Sequence, residues 1–213
     1  MAVKHRNLVK QEGASVTPLR VQRMTDRAPA TRYEMNIEID VLNGDSSWPQ
    51  AEPLLQAVWP RETIEKLPWG HVKWAHADLR VLIDAPEDAA QPGLLCHVGV
   101  YFRDATWDGR KVQIGGIGGV STRTDCRGRG YATLALNAAI RTLRDHEAVR
   151  FAMLFCEPHN EAFYQARGWH PFQGEVYAEQ PGGRIRFEAM APYVFDFTRK
   201  PRDGIIDLCG LPW

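Results

Sequence analysis

The residues with the most chemistry in this 213-residue chain lie in one run, Ile117-Gly118-Gly119-Val120-Ser121-Thr122-Arg123-Thr124-Asp125-Cys126-Arg127-Gly128-Arg129-Gly130-Tyr131-Ala132. An apolar strand runs into a Gly/Arg-rich loop, and the loop opens a helix. Such a junction is an anion cradle, because free backbone N–H groups and the positive end of the helix dipole converge on one point. Gly128 and Gly130 carry no Cβ, so a phosphate can approach the backbone closely. Arg127 and Arg129 can add charge-assisted bonds to its oxygens. No Gly-Lys-Ser/Thr follows and G-x-G-x-x-G is incomplete, which excludes a Walker loop and a Rossmann fingerprint. A surface turn with chance glycines is the alternative. Just upstream, Gly115-Gly116-Ile117-Gly118-Gly119 places four glycines in an apolar strand. Glycine weakens strand interiors, so four of them imply a bulge or the close approach of a ligand. A strand opened in this way leaves backbone groups free to pair with an extended ligand.

The run Val120–Ala132 resembles the acyl-CoA-binding motif of the GCN5-related N-acetyltransferases. Asn160-Glu161-Ala162-Phe163-Tyr164-Gln165-Ala166-Arg167-Gly168-Trp169 resembles the second signature of that family, an Asn, a Tyr and a terminal Gly-aromatic pair. The two motifs stand at the family's separation with an apolar strand between them, and the resemblance covers roughly 34–213, weakest before Leu94. It implies an α/β fold of that type: a mixed, mostly antiparallel sheet with a splayed central strand and flanking helices. It also implies acetyl-CoA as co-substrate, without a metal, held by Val120, Ser121, Thr122, Arg127, Gly128, Arg129, Gly130, Tyr131, Ala132 and Asn160. Where the family usually has Gln or Arg two positions before R-G-x-G, this chain has Asp125. The implied transfer is direct: an amine attacks the thioester carbonyl, a strand N–H supports the oxyanion, and Tyr164 protonates the departing thiolate. A core aromatic is the alternative for Tyr164. Cys126 and Cys156 lie near enough to carry an acyl group in principle. No His/Asp relay stands beside either, and they read better as buried or incidental cysteines.

For the acceptor, the nearest resemblance is to the aminoglycoside 2′-N-acetyltransferases. It rests on Gly118–Gly128, on Ala166-Arg167-Gly168-Trp169-x-Pro-Phe, and on a sequence ending in Trp. It implies a cationic small-molecule amine, an aminoglycoside antibiotic, whose acetylation gives resistance. In that subfamily acidic side chains and the terminal carboxylate hold ammonium groups, which here match Asp207 and the α-carboxylate of Trp213. A tail docked for packing is the alternative. The subfamily's Glu on the splayed strand falls on Gly118, so the base must come from elsewhere or the substrate must differ. Glu157 ends the neighbouring strand and opens the helix of Tyr164, which makes it the first choice, though a first-turn carboxylate favoured by the helix dipole reads equally well. His159 is next, as a side chain that titrates near neutrality. Two other readings stay open: an acetyltransferase for another amine, such as a polyamine or a protein Lys, and a non-catalytic acyl-CoA-binding module.

The elements that must position these residues follow from periodicity. Glu34–Val41 alternates polar and apolar, as in a strand with one wet face. Ser46 or Ser47 can cap a helix carrying Leu54, Leu55 and Val58, which Pro60 stops or kinks, with a further turn or two through Ile64 and Leu67. Asp78–Asp84, Leu94–Arg103 and Lys111–Thr122 read as strands, the last two joined by an Asp108-Gly109 hairpin. Tyr131–His146 has Leu136, Ile140 and Leu143 at helical spacing, and Arg150–Cys156 is a strand covered on both faces. Pro158–Arg167 is a short helix ended by Gly168, and Ile185–Phe197 a long strand broken near Pro192. Strand, loop, helix and strand from Val120 to Cys156 form one crossover in a mixed, partly antiparallel α/β sheet.

Composition fits this reading. With 44% hydrophobic and 24% charged residues the chain is an ordinary globular one, and 33–213 forms a single domain. No apolar run reaches the roughly 18 residues of a membrane span, no secretory h-region opens the sequence, and the four cysteines lack zinc or disulfide spacing. The expectation is a cytoplasmic protein with no nucleic-acid or membrane partner, a homodimer being left open. Residues 1–32 hold seven Lys/Arg against Glu12 and Asp26, a net of +5, and read as a flexible basic arm. The remainder, with 19 basic and 24 acidic residues, has a net of −5 that would draw in cations.

Overall fold

The computed structural model describes residues 37–85 and 92–213. The basic arm therefore lies outside the described residues, as does the start of the strand expected at Glu34–Val41. What is described begins with β1 (Ile39–Asn43), α1 (Trp48–Val58), the single turn α2 (Arg61–Ile64) and β2 (Leu79–Asp84). Ser47 occupies the N-cap position of α1, but its hydroxyl donates to the Asn43 carbonyl at 2.6 Å and caps no helical N–H. Next come β3 (Leu94–Trp107) and β4 (Arg110–Thr122), a long antiparallel hairpin. Asp108 and Gly109 turn it with φ of 50° and 74°, the left-handed pair such a two-residue turn requires. A 3-10 turn, Thr124–Cys126, leads into α3 (Tyr131–Asp145), and β5 (Val149–Cys156) returns parallel to β4. This is the expected crossover.

After β5 a 3-10 turn, Pro158–Asn160, runs into α4 (Glu161–Gln165), and Gly168 ends the segment at φ 83°. There follow β6 (His170–Pro171), β7 (Glu175–Gln180), β8 (Gly183–Arg186), β9 (Ala191–Asp196) and β10 (Ile205–Asp207). The single long strand expected over Ile185–Phe197 is thus two. One pairs with β7 at the sheet's edge and the other with β5 near the opposite edge, and Pro192 sits within the second, opposite Phe155. All ten strands form one sheet in the order β6-β9-β5-β4-β3-β10-β7-β8, with β1 and β2 joined to it through the first half of β3. Only β4–β5 and β10–β7 are parallel, so the sheet is mixed and mostly antiparallel.

The sheet is packed on both faces. On one, α3 buries Tyr131, Ala135, Leu136, Ala139, Ile140 and Leu143. On the other, Trp69, Tyr101, Phe155, Phe187 and Trp213 form an aromatic layer under the segment that follows α2. Two of the β4 glycines answer to these layers. A Cβ on Gly115 would stand 2.6 Å from the Leu143 methyls, and one on Gly116 would stand 2.3 Å from the Trp213 indole. No helix among the described residues is long and apolar enough to cross a membrane.

Candidate active site

Between β4 and β5 the sheet opens. Their pairing runs from Gln113–Val149 to Ile117–Leu154 and stops, while β4 continues against β3 to Thr122 and β5 against β9 to Cys156. The divergence has a local cause. Opposite the two steps from His97 to Gly99 in β3, β4 takes three, from Ser121 to Gly118. The extra residue is a bulge, and Gly119 carries it at φ 57°, where a side chain would be strained. The expected splayed strand is therefore present, and its backbone past Ile117 has no partner on the β5 side.

A buried polar pair fixes the bulge. His97 Nδ1 lies 2.7 Å from the Gly119 carbonyl oxygen, and Nε2 lies 2.9 Å from Arg80 Nη1. A guanidinium only donates, so Nε2 accepts and Nδ1 carries the proton that Gly119 receives. Burial lowers the His97 pKa to about 4; the bond to Gly119 opposes the shift and the Arg80 charge adds to it. Arg80 also donates Nε to the Gly44 carbonyl at 3.0 Å and lies over the Trp48 ring at 4.9 Å. Neither residue was singled out in the sequence, where each is one polar position in an apolar strand.

Two cavities meet at the opening. The first is a groove of about 580 Å³ running along the start of α3, lined by Val120, Ser121, Thr122, Arg127, Gly128, Gly130, Tyr131, Ala132 and Asn160. These are nine of the ten residues expected to hold acetyl-CoA. Arg129 is not among the lining; its guanidinium turns back to the Asp125 carbonyl at 3.3 Å. Ser121 is buried and its hydroxyl has no partner among the described residues. Gly128 and Gly130 stand at φ 76° and 87°, Gly130 as N-cap of the fifteen-residue α3. Around a Cβ on Gly128 nothing lies within 4 Å, so the backbone there is open to a ligand. Asp125, at the position where an anion is least welcome, is paired with Arg123 at 2.8 Å, which lowers its pKa.

The second cavity, about 390 Å³, lies across the sheet opening on the aromatic face and includes Gly118, Gly119, Phe155, Cys156 and Trp213. Glu157, Asn160 and Tyr164 line both cavities and so stand at their junction. Glu157 accepts a bond from Trp69 Nε1 at 3.2 Å and lies 3.9 Å from His159, which lines the groove alone. Tyr164 is buried, mainly between Phe163 and Trp169, and its hydroxyl makes no hydrogen bond to a described residue. Desolvation raises its pKa above the ordinary phenol range, so the phenol keeps its proton at neutral pH. Burial also pushes the Cys156 thiol up to about 12, which argues against an acyl-thioester at that residue. Cys126 is buried.

The two substrate anions expected from the sequence fare differently. Asp207 lies outside both cavities, ion-paired with Arg184 and accepting the Cys209 N–H at 2.9 Å. Its charge is thus engaged within the fold. Trp213 does line the second cavity, but through an indole that is buried against Tyr101 and donates to the Met153 carbonyl at 3.2 Å. Its main-chain carbonyl carbon lies 2.9 Å from where a Cβ on Gly118 would stand. Position 118 therefore has no room for the Glu that the resemblance placed there. A larger groove of about 950 Å³, at the hairpin end of β3 and β4, carries neither motif.

A sheet opened between two parallel strands, with a glycine-rich helix start on one side and a half-open, aromatic-lined cavity on the other, is the arrangement of an α/β acyltransferase domain. The chain belongs to the acetyltransferase (GNAT) family, whose domain matches residues 41–172. Among curated proteins it is similar to an aminoglycoside 2′-N-acetyltransferase of Mycolicibacterium fortuitum, 31% identical over 93 residues, 44% of this chain and 47% of that protein. The chain thus matches about half the length of that relative. Among solved structures it is similar to the GNAT family N-acetyltransferase YhbS of Escherichia coli, crystallised with CoA, at a TM-score of 0.55 and 15% identity over 84% of this chain and 93% of that one. It is also similar to Escherichia coli ElaA, at a TM-score of 0.51 and 17% identity over 75% and 99%. At these identities the likeness to the solved structures is one of fold.

Proposed function

We propose that this protein is an acetyl-CoA-dependent N-acetyltransferase that transfers acetyl directly to a primary amine of a small molecule, an aminoglycoside being the acceptor its partial relative points to. The observation that carries the reading is the meeting of the two cavities at Tyr164, Glu157 and Asn160. The groove supplies the helix start and glycine backbone for the pyrophosphate, with Arg127 beside them. The unpaired edge of β4 is placed to bond an extended pantetheine arm and to support charge on the thioester oxygen. In this reading thioester and amine meet where an acid, Tyr164, and a carboxylate, Glu157, line both cavities. A second reading, an amine other than an aminoglycoside, is favoured by the filled space at Gly118 and by Asp207 being engaged with Arg184.

Turnover of acetyl-CoA with an aminoglycoside panel, followed as free thiol, tests the acceptor. Acetylation of a sugar amine supports the first reading and acetylation of other amines alone the second. The cofactor groove has its own test. Val at both 128 and 130 puts branched side chains at left-handed φ, so the double variant Gly128→Val/Gly130→Val is expected to lose acetyl-CoA binding by calorimetry. Unchanged affinity in folded protein would remove the groove from the proposal.

The base is tested by Glu157→Gln. An ammonium must shed a proton before its lone pair can attack, and Glu157 is the carboxylate at the junction. The variant is expected to lose the acidic limb of its kcat/KM–pH profile while keeping its acetyl-CoA affinity. Survival of that limb hands the role to His159 or to an amine that arrives neutral.

A further inference from the structure

Five of the seven tryptophans in the sequence, Trp48, Trp59, Trp69, Trp74 and Trp213, line the acceptor cavity, and Glu157 is the one charged side chain among its lining residues. We infer that the acceptor is a primary amine with a single ammonium on a body with a flat apolar face, one or two rings in size. The inference rests on the acetyltransferase reading above and, of its two acceptors, takes the second, an amine other than a multiply charged aminoglycoside.

The walls argue for the ring. Trp69 and Trp74 meet edge to face at 5.9 Å, Trp74 meets Phe187 likewise, and Trp213 stacks on Tyr101 at 5.7 Å. These rings fix one another's planes, so the cavity presents preset aromatic faces and few hydrogen-bonding groups. A volume of about 390 Å³ is at the small end for ligand sites, enough for one or two rings. The charge argues for one ammonium. Trp69 Nε1 holds Glu157 at 3.2 Å, at the junction with the groove, so the reacting nitrogen has an anion to meet. Further ammonium groups would find only indole faces, whose cation–π attraction falls short of the cost of desolvating a primary ammonium with no side-chain carboxylate to receive it, since Asp207 is outside and paired. An aryl ring and the C–H face of a pyranose both satisfy this chemistry, and the two sources are separated experimentally.

The experiment compares kcat/KM for CoA release with phenethylamine, glucosamine, kanamycin and spermidine as probes. The ring-bearing monoamines, one or both, are expected to exceed kanamycin and spermidine by about tenfold or more, and their order says whether the ring is aryl or sugar. Trp48→Ala and Trp74→Ala, which lie off the acetyl-CoA groove, are expected to raise KM for the preferred monoamine about tenfold while KM for acetyl-CoA changes less than about twofold. Trp48 is 37% exposed but carries Arg80 over its ring, so Trp48→Phe, which keeps an aromatic face there, separates lost amine contact from a disturbed bulge. Preference for kanamycin or spermidine, or unchanged amine KM in both variants, overturns the inference. Release with none of the amines overturns the acetyltransferase reading, and this inference with it.

Discussion

Tyr164→Phe is expected to lower kcat by about 10²–10⁴-fold, the usual loss for one positioned proton donor. The dissociation constant for acetyl-CoA should stay near that of the unmodified protein. The argument starts from the residue's surroundings. Its phenol is buried, has no hydrogen-bond partner among described residues, and faces the point where the groove and the acceptor cavity join. Desolvation, the largest influence, and the nearby Cys156 both raise its pKa, and the Arg167 cation opposes them only in part. A phenol so placed stays protonated across the neutral range, able to give its proton to a leaving thiolate and unable to act as a base. Removing the oxygen keeps the ring and its edge-to-face contacts with Phe163 at 5.1 Å and Trp169 at 6.3 Å, so the fold should survive. Steady-state rates with calorimetry for acetyl-CoA decide the matter. A variant with full kcat makes Tyr164 a core aromatic, the reading that the helix pattern alone allowed.

The loop of the site was legible because its chemistry is local. Gly128 and Gly130 stand out in sequence for the reason they matter in space, two left-handed positions at a helix start. The glycines of β4 were legible only as an anomaly. Gly119 is the bulge, but Gly115 and Gly116 yield to Leu143 and Trp213, one 28 residues and the other 97 residues downstream, and no local pattern names such partners. Asp207 looked free for a substrate because its partner, Arg184, lies on a strand two places away in the sheet. The split of Ile185–Phe197 was hidden in the same way: apolar alternation resumes after Phe187, while the chain between crosses the molecule from one edge of the sheet to near the other. The acceptor cavity was not legible at all. Its tryptophans come from α1, the residue that ends α1, the loop after α2 and the last residue, and each alone reads as core.

His97 is expected to make the fold lose stability as pH falls below about 6.5, its ordinary value, toward about 4, its value in the folded protein. Between those limits the unfolded chain binds a proton that the buried ring refuses. Linkage then lowers the unfolding free energy with falling pH, by up to about 1.4 kcal/mol per unit and roughly 3 kcal/mol in total. Above 6.5 both states are neutral at this ring, and its contribution is fully present. The structural cause is specific. Protonation would turn Nε2 from an acceptor into a donor facing Arg80 Nη1 at 2.9 Å, placing two cations together away from water. Relief would require the ring to leave Gly119, and with it the bulge that opens the sheet. Urea unfolding of the protein and of His97→Gln, at intervals between pH 4 and 7, isolates this residue, because every other titrating group contributes alike to both. The unmodified protein should be the more stable at pH 7, and the gap should narrow steadily as the pH falls. Parallel curves would mean that the ring titrates near 6.5 in the folded state, and the Arg80–His97–Gly119 chain would then not be what holds the bulge.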